Sequence, residues 1–180
     1  MILSDSELVE MLREPRTRRE GFAVLVKQYS EKLYWKVRRI VLSHEDANDV
    51  LQNVFIKVWS NLQNFQGKSS LSTWLYRIAV NESLDFLRKQ KLADKVSTDE
   101  DDSVASRLMS DEYFDGDEVQ TRLQEAVARL PEVQRTVFNL KYFEEMKYSE
   151  ISQILNTSEG ALKASYHLAV KKITEYLHLF

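Results

Sequence analysis

Apolar residues recur at three- and four-residue spacing along most of the chain, and short polar stretches interrupt them. This is the period of an amphipathic helix. Ser4-Asp5-Ser6-Glu7 has the spacing of a capping box and predicts a short helix that ends near Leu12. Thr17 and Ser43 are predicted to cap a second and a third helix, and a fourth runs from Leu71 to about Leu92. The second helix is predicted to turn inward Phe22, Leu25, Val26, Tyr29, Leu33, Val37, Ile40 and Val41. The third is predicted to turn inward Ala47, Val50, Leu51, Val54, Phe55, Val58 and Leu62, and the fourth Leu71, Trp74, Leu75, Ile78, Ala79 and Leu87.

This periodicity stops near position 93 and resumes near position 119. The intervening sequence contains acidic, turn-forming stretches at positions 99–102 and 115–118. Residues 93–120 include ten acidic and two basic residues, whereas residues 1–92 include 11 acidic and 15 basic ones. A segment of this composition has too little apolar surface to form a core of its own. We therefore predict a flexible acidic linker over residues 93–118, with a transient helix around Ser106 to Met109.

The C-terminal part predicts a helix over 119–129 and another that has Pro131 at its first position and ends between 142 and 145. Ser149 is predicted to cap a short helix over 150–155. Asn156-Thr157 forms a tight turn, and Ser158 caps a longer helix that reaches about Leu177. Short helix, turn and longer helix are the pattern of a helix-turn-helix. The inward stripe predicted for the last helix is Leu162, Tyr166, Ala169, Ile173 and Leu177.

Composition narrows the class of protein further. The 180 residues include no cysteine, four glycines and two prolines, which favours helices and removes disulfides and thiolate chemistry. The three histidines, at positions 44, 167 and 178, lack metal-ligand spacing, and no glycine-rich phosphate loop is present. No apolar run reaches the length of a membrane span. We therefore expect neither an enzyme nor a cofactor or metal site, no direct insertion into a membrane, and a cytoplasmic location.

Two long stretches resemble a known family. The first includes Asp49-Val50-Leu51-Gln52-Asn53-Val54-Phe55-Ile56-Lys57-Val58-Trp59 and Thr73-Trp74-Leu75-Tyr76-Arg77-Ile78-Ala79-Val80-Asn81, and it resembles region 2 of the extracytoplasmic-function (ECF) sigma factors of bacterial RNA polymerase. The second includes Leu130-Pro131-Glu132-Val133-Gln134-Arg135, Tyr148-Ser149-Glu150-Ile151-Ser152 and Ser158-Glu159-Gly160-Ala161-Leu162-Lys163-Ala164-Ser165, and it resembles region 4. Many relatives carry several arginines in the last helix, where this chain has Lys163, Ser165, Leu168 and Val170.

The resemblance implies a role for the outer face of the third helix. Asp49, Gln52, Asn53 and Ile56 form one stripe opposite the apolar face. From spacing alone, a solvated face is the more common explanation of such a stripe. The matching helix of the family docks on the coiled coil of the polymerase β′ subunit, so these four residues are predicted to bind core polymerase.

Residues around the loop between the third and fourth helices supply the chemistry that an unstacked base requires, namely an aromatic wall, amides for its edge and cations for phosphate. Alone, each of these residue types also suits an ordinary surface or a loop anchor. The resemblance implies a pocket for the minus-ten promoter element that includes Lys57, Asn61, Phe65 and Asn81. Lys68 and Arg88 are predicted to bind phosphate beside it.

The last helix is predicted to read the minus-thirty-five element in the major groove. Lys163 is a donor suited to guanine, Ala164 an apolar contact for a thymine methyl, and His167 a donor to base or backbone. With Ser158 as the cap, the N–H groups in the first turn of this helix are predicted to face a phosphate. Leu168 and Lys171 complete the outward stripe. A plain amphipathic surface helix is the alternative interpretation of this stripe.

These observations predict an all-α protein with a four-helix domain over residues 1–92, the acidic linker over 93–118 and a helix-turn-helix domain over 119–180. The predicted function is initiation of transcription, with core RNA polymerase (the β′ coiled coil and the β subunit) and promoter DNA as partners. The family resemblance adds an anti-sigma factor as a candidate partner. The alternatives are an autonomous helix-turn-helix regulator and a helical adaptor with no role on DNA.

Overall fold

A computed structural model describes residues 2–93 and 118–178. Within these residues all regular structure is helical, which confirms the predicted all-α fold. The α-helices are α1 (Asp5–Arg13), α2 (Arg18–Val41), α3 (His44–Asn61), α4 (Leu71–Ala93), α5 (Glu118–Ala128), α6 (Glu132–Phe138), α7 (Tyr148–Leu155) and α8 (Glu159–His178). Most of the predicted linker, with its transient helix, lies outside the described residues. The chain forms two compact units, one of residues 1–41 and 45–90 and the other of residues 42–44 and 91–180.

The start of α1 follows the predicted capping box. The Glu7 N–H donates to Ser4 Oγ at 3.4 Å, and the Ser4 N–H donates to Glu7 Oε2 at 2.8 Å. The hydroxyl of Thr17 behaves differently from the prediction, because it donates to the Met11 carbonyl at 2.9 Å instead of capping α2. Thr17 therefore ties the end of α1 to the start of α2.

Gly21 allows α1 and α2 to approach closely. A Cβ atom at this position would lie 2.8 Å from the Cβ atom of Met11 and 3.3 Å from its carbonyl carbon. Real Cβ atoms do not approach other carbons so closely. The absence of a side chain at Gly21 therefore fixes the distance between the two helices, and Leu8 and Leu12 of α1 are buried.

Most predicted inward positions of α2, α3 and α4 are buried. The exceptions are half-buried at the margin of the apolar stripe: Phe22, Val26, Leu51, Phe55, Trp74 and Ile78. Among them, the ring of Phe22 packs edge-on against two other rings. Its centroid lies 6.4 Å from that of Phe55 and 4.9 Å from that of Trp59. The prediction placed these residues inward because a wide apolar stripe does not distinguish its centre from its edges.

In the C-terminal unit, the helix after Pro131 differs from the prediction. Pro131 occupies the cap position, so α6 begins at Glu132, and after Phe138 the chain continues as a π-helical turn over Asn139–Phe143. A π-helical turn widens the helix by one residue and rotates the side chains that follow. The turn stacks Tyr142, which is 51% exposed, on the buried ring of Phe138 at a centroid distance of 5.0 Å.

The buried Arg135 of α6 connects two elements. Its Nη1 donates to the carbonyl oxygens of Ala128 at 3.3 Å and Leu130 at 3.2 Å. These carbonyls belong to the end of α5 and the following turn, where no helical N–H is available. Arg135 therefore holds the α5–α6 corner together.

The helix-turn-helix begins two residues earlier than predicted, because Lys147 occupies the cap position of α7 and Ser149 lies inside the helix. The Glu150 carboxylate accepts the Lys147 N–H at 2.9 Å. The tight turn is as predicted, with Asn156 in the left-handed region at φ +50°. Ser158 Oγ accepts the Ala161 N–H at 3.3 Å and so caps α8 as predicted. Leu177, predicted inward, is 39% exposed, because the helix extends past the core near its end.

Candidate nucleic-acid interface

The outer face of α3 exposes the four residues predicted to bind polymerase. Asp49, Gln52, Asn53 and Ile56 are all exposed, and Ile56 is 58% exposed. Sequence reasoning did not include Trp59, which is 41% exposed one turn further along while its ring contacts Phe22. Two large apolar side chains at helical spacing, open to solvent among polar residues, form a surface suited to a protein partner.

The predicted minus-ten residues lie where α3, the following loop and α4 meet. Phe65, which follows a 3₁₀ turn over Leu62–Asn64, lies 5.1 Å from Trp74 between ring centroids at an interplanar angle of 48°. At the other end, Lys57 Nζ of α3 forms an ion pair with Glu82 Oε1 of α4. We call this region the α3–α4 site, which comprises Lys57, Asn61, Phe65, Trp74, Ile78 and Glu82.

Hydrogen bonds orient the amides at this site. The Asn61 Nδ2 donates to the Lys57 carbonyl at 2.8 Å, and the Asn64 Nδ2 donates to Asn61 Oδ1 at 3.4 Å. Asn61 is thus bonded to the backbone of Lys57, while Phe65 contacts Trp74. Glu82 and the aromatic contact of Trp74 were missed, since their partners are distant in sequence.

The remaining predicted minus-ten residues lie around this centre. Asn81 is exposed beside Glu82 on α4, and Lys68 is exposed in the loop. Arg88 is also exposed and pairs with Asp85 at 2.9 Å, about 9 Å further along the helix than Glu82. Arg88 is therefore suited to phosphate beyond the site and is not part of its centre.

The loop at this site depends on Gly67. Its φ of +70° lies in the left-handed region that side chains rarely adopt. The Arg13 Nη2 lies 3.5 Å from the place a Cβ atom at Gly67 would occupy. Arg13 ends α1, so a cation of another helix lies against the loop.

The outward face of α8 exposes all six residues predicted to read or hold DNA: Ser158, Lys163, Ala164, His167, Leu168 and Lys171. Lys171 Nζ lies 4.0 Å from a Glu175 oxygen on the same helix. Space is also open around Gly160 in the first turn, since a Cβ atom there would meet nothing within 4 Å.

Tyr148, which the sequence did not single out, lies beside this face. Its ring is 5.7 Å from Lys163 Nζ and 4.9 Å from Lys141 Nζ, measured to the ring centroid. It also makes an edge contact with Tyr166 of α8 at 6.4 Å. A ring placed between two ammonium groups attracts both through its negative face. Tyr148 therefore restrains the Lys163 side chain near the start of α8.

A half-buried lysine shapes the electrostatics of the N-terminal unit. Lys36 Nζ of α2 lies 3.9 Å from the centroid of the Tyr76 ring on α4. Burial, followed by the charges of Arg39 and Lys32, lowers the pKa of Lys36 to about 8. Burial likewise raises the pKa of the Tyr76 hydroxyl.

The described ranges contain neither a group of three His, Asp or Glu side chains arranged to bind a metal ion nor a helix long and apolar enough to cross a membrane.

Comparison with known proteins identifies both units. Residues 25–93 match the family model for Sigma-70 region 2, and residues 120–173 match that for Sigma-70 region 4. The chain is 33% identical over 157 residues to the ECF RNA polymerase sigma factor SigW of Bacillus subtilis, covering 82% of this chain and 84% of SigW. It is 32% identical over 182 residues to the RNA polymerase sigma-H factor of Pseudomonas aeruginosa, covering 96% and 93% of the two chains.

A solved structure has a similar fold. The sigma factor RpoE, in complex with the anti-sigma factor NepR from Bartonella quintana, aligns with a TM-score of 0.69 and 21% identity, covering 88% of this chain and 98% of that one. The two family models occupy the two predicted regions in order, and the relatives match over most of their own length. The chain therefore belongs to the ECF family of bacterial RNA polymerase sigma factors, which direct the polymerase to promoters and initiate transcription.

Proposed function

We propose that this sigma factor binds an unstacked base of the minus-ten element at the α3–α4 site, after it has joined core RNA polymerase through α3. The observation that carries the proposal is the meeting of an aromatic pair, an oriented amide and a cation at one place, formed by Phe65 with Trp74, Asn61 and Lys57. A base removed from its stack requires such a set, because it needs an apolar face, a hydrogen-bonding edge and a neutralised phosphate.

The polymerase surface is the exposed face of α3. Ile56 and Trp59 supply apolar area, and Asp49, Gln52 and Asn53 supply a polar rim. An apolar centre with a polar rim is the usual composition of a specific protein interface. We propose that this face binds the β′ coiled coil of core polymerase and that other surfaces of the chain contact the β subunit.

The upstream element is assigned to α8. Lys163, Ala164 and His167 are exposed on its N-terminal half, which is the part of a recognition helix that meets base edges. Ser158 and the open first turn around Gly160 accept a phosphate, and Lys171 adds a flanking cation. Leu168, which is 46% exposed, supplies an apolar contact.

We further propose that residues 1–92 and 119–180 act as two DNA-reading domains joined by the acidic segment 93–118. The chemistry of RNA synthesis is the polymerase's, so the site of action is the cytoplasm, where the polymerase works. An anti-sigma factor is proposed as a further partner, because the similar sigma factor RpoE is solved in complex with one.

Run-off transcription with purified core polymerase and a promoter library tests the proposal. Promoter-specific transcripts that require this chain are expected, together with permanganate-reactive thymines in the minus-ten region. Free sigma is expected to bind the same promoter duplex weakly, since residues 121–180 carry eight basic against seven acidic residues and therefore make few phosphate contacts. Tight and sequence-specific binding without polymerase would instead support an autonomous regulator.

A further inference from the structure

One carboxylate at the α3–α4 site has no role in the function proposed above. Glu82 lies 25 residues after Lys57 and pairs with it across α3 and α4. The side chain of Glu82 is only 12% exposed, whereas that of Lys57 is 52% exposed. Burying a carboxylate is costly unless it is paired, so the pair fixes Glu82 in a position that an isolated acid would avoid.

Glu82 retains a free acceptor. Lys57 binds Oε1, and Oε2 has no hydrogen-bond partner in the part of the chain that the structure describes. An ionised carboxylate accepts hydrogen bonds and cannot donate them. A DNA backbone offers oxygens that accept hydrogen bonds but no donor to such a group, whereas the edges of unstacked adenine, cytosine and guanine each offer an amino group. The chemistry of Oε2 therefore fits an exocyclic amino group and excludes phosphate.

The spacing along α4 places this acceptor opposite the aromatic pair. Trp74, Ile78 and Glu82 follow one another at four-residue intervals, so they form one stripe with a rise of about 6 Å between neighbours. Phe65 packs at the Trp74 end, and Lys57 at the Glu82 end. A base that lies over Ile78 has the rings at one side and the ion pair at the other.

We propose that Glu82 determines base preference in the minus-ten element by accepting a hydrogen bond from the exocyclic amino group of an unstacked adenine, cytosine or guanine, which thymine lacks. Lys57 offsets the charge of the carboxylate, so the nearby phosphates are not repelled. This inference rests on the proposed binding of a base at the α3–α4 site.

The test uses holoenzyme assembled from core polymerase and full-length sigma factor. Promoter DNA with a single-stranded nontemplate minus-ten segment is the probe, with each base placed in turn at each minus-ten position, and with purine, which lacks the amino group, in place of adenine. The variant is Glu82→Met, which has similar shape and no acceptor. Asp85→Leu is the matched control, since it removes the carboxylate of another ion pair on the same helix.

Wild-type holoenzyme is expected to prefer adenine, cytosine or guanine over thymine at one position, and the preferred base identifies which of the three amino groups Glu82 binds. Glu82→Met should reduce that preference about five- to tenfold, with no loss of affinity for the other bases. Asp85→Leu should leave the preference unchanged.

Two results would overturn the inference. In the first, Glu82→Met keeps the wild-type preference at every position. In the second, Glu82→Met and Asp85→Leu weaken binding to all bases alike, which indicates a structural role. If wild type itself has no preference and Phe65→Ala binds the probe normally, the α3–α4 site does not hold a base, and the proposed function fails together with the inference.

Discussion

The ring of Phe65 lies 5.1 Å from the ring of Trp74, and this contact joins the loop after α3 to the first turn of α4. Both side chains are half-buried, so each has one face in the protein and part of its surface open. Phe65 therefore anchors the loop, and the open part of its ring is the surface that we propose for a base.

We expect Phe65→Ala combined with Asn61→Ala to impair opening of the minus-ten region more than initial binding of duplex promoter. Loss of one stacked base costs about 1–3 kcal/mol. Permanganate footprinting measures the bubble, and a mobility assay at low temperature measures the closed complex. Trp74→Phe, which preserves an aromatic partner, is the control for loop anchoring. Normal opening by the double variant would refute the assignment.

We expect Ile56→Glu to abolish binding to core polymerase while the helical content stays unchanged. Ile56 is 58% exposed and lies on the face of α3 opposite the core, so a charge there should disrupt an interface and spare the fold. Ile2→Glu is the matched control, because Ile2 is 87% exposed in the same unit. Titration of labelled core polymerase gives the affinities. Equal affinity for both variants would exclude α3 as the polymerase surface.

Gly160→Ala is expected to separate stability from DNA binding. Its Cβ atom meets nothing in the protein, and alanine favours a helix over glycine by up to about 1 kcal/mol, so the free energy of unfolding should rise. A close phosphate would meet that methyl group, so holoenzyme affinity for the minus-thirty-five element should fall. Urea unfolding and promoter binding are the two measurements. A stabilised variant with full affinity would show that DNA does not approach this turn.

Lys163→Ala is expected to relax sequence preference at one upstream position by about 1–3 kcal/mol, because a lysine that donates to guanine discriminates between bases. Lys172→Ala, an exposed lysine on the same helix outside the predicted face, is the control. Holoenzyme binding to a set of upstream promoter variants gives the preference. A uniform loss over all sequences would identify Lys163 as a phosphate contact instead.

Titration of Lys36 should make stability depend on pH. Its folded pKa of about 8 lies below the value of about 10.4 in an unfolded chain, so the unfolded state binds more protons between these values. The free energy of unfolding should therefore rise with pH in this window, by at most about 1 kcal/mol because partial exposure screens the charge. Urea unfolding of wild type and Lys36→Met from pH 7 to 10 isolates the effect. Parallel curves for the two proteins would contradict it.

Local periodicity was enough to predict much of the fold. The exposed face of α3 and the buried stripe of α8 follow directly from residues three and four apart, and the caps at Ser4 and Ser158 follow from spacing within one turn. The start of α7 was predicted two residues late. The sequence suggested Ser149 as the cap, whereas in the structure Lys147 holds the cap position and its N–H donates to the Glu150 carboxylate.

Contacts between distant positions were not predictable in the same way. The ion pair of Lys57 and Glu82 depends on the packing of α3 against α4. The sequence shows a charged residue on each helix but does not indicate which two residues pair. The π-helical turn over Asn139–Phe143 was likewise not predicted, since the apolar residues of this stretch do not distinguish a π-helical turn from an α-helical one. Such features need the tertiary structure.

The residues of the α3–α4 site lie between Lys57 and Glu82, so its aromatic pair, its oriented amide and its ion pair all come from one short, uninterrupted stretch of sequence. A single exchange of that stretch between relatives carries the aromatic pair, the amide and the ion pair together. Under the proposed function, minus-ten preference is inheritable as a cassette: a duplicated gene can acquire a new set of promoters there while Asp49, Gln52, Asn53 and Ile56 of the proposed polymerase surface stay as they were.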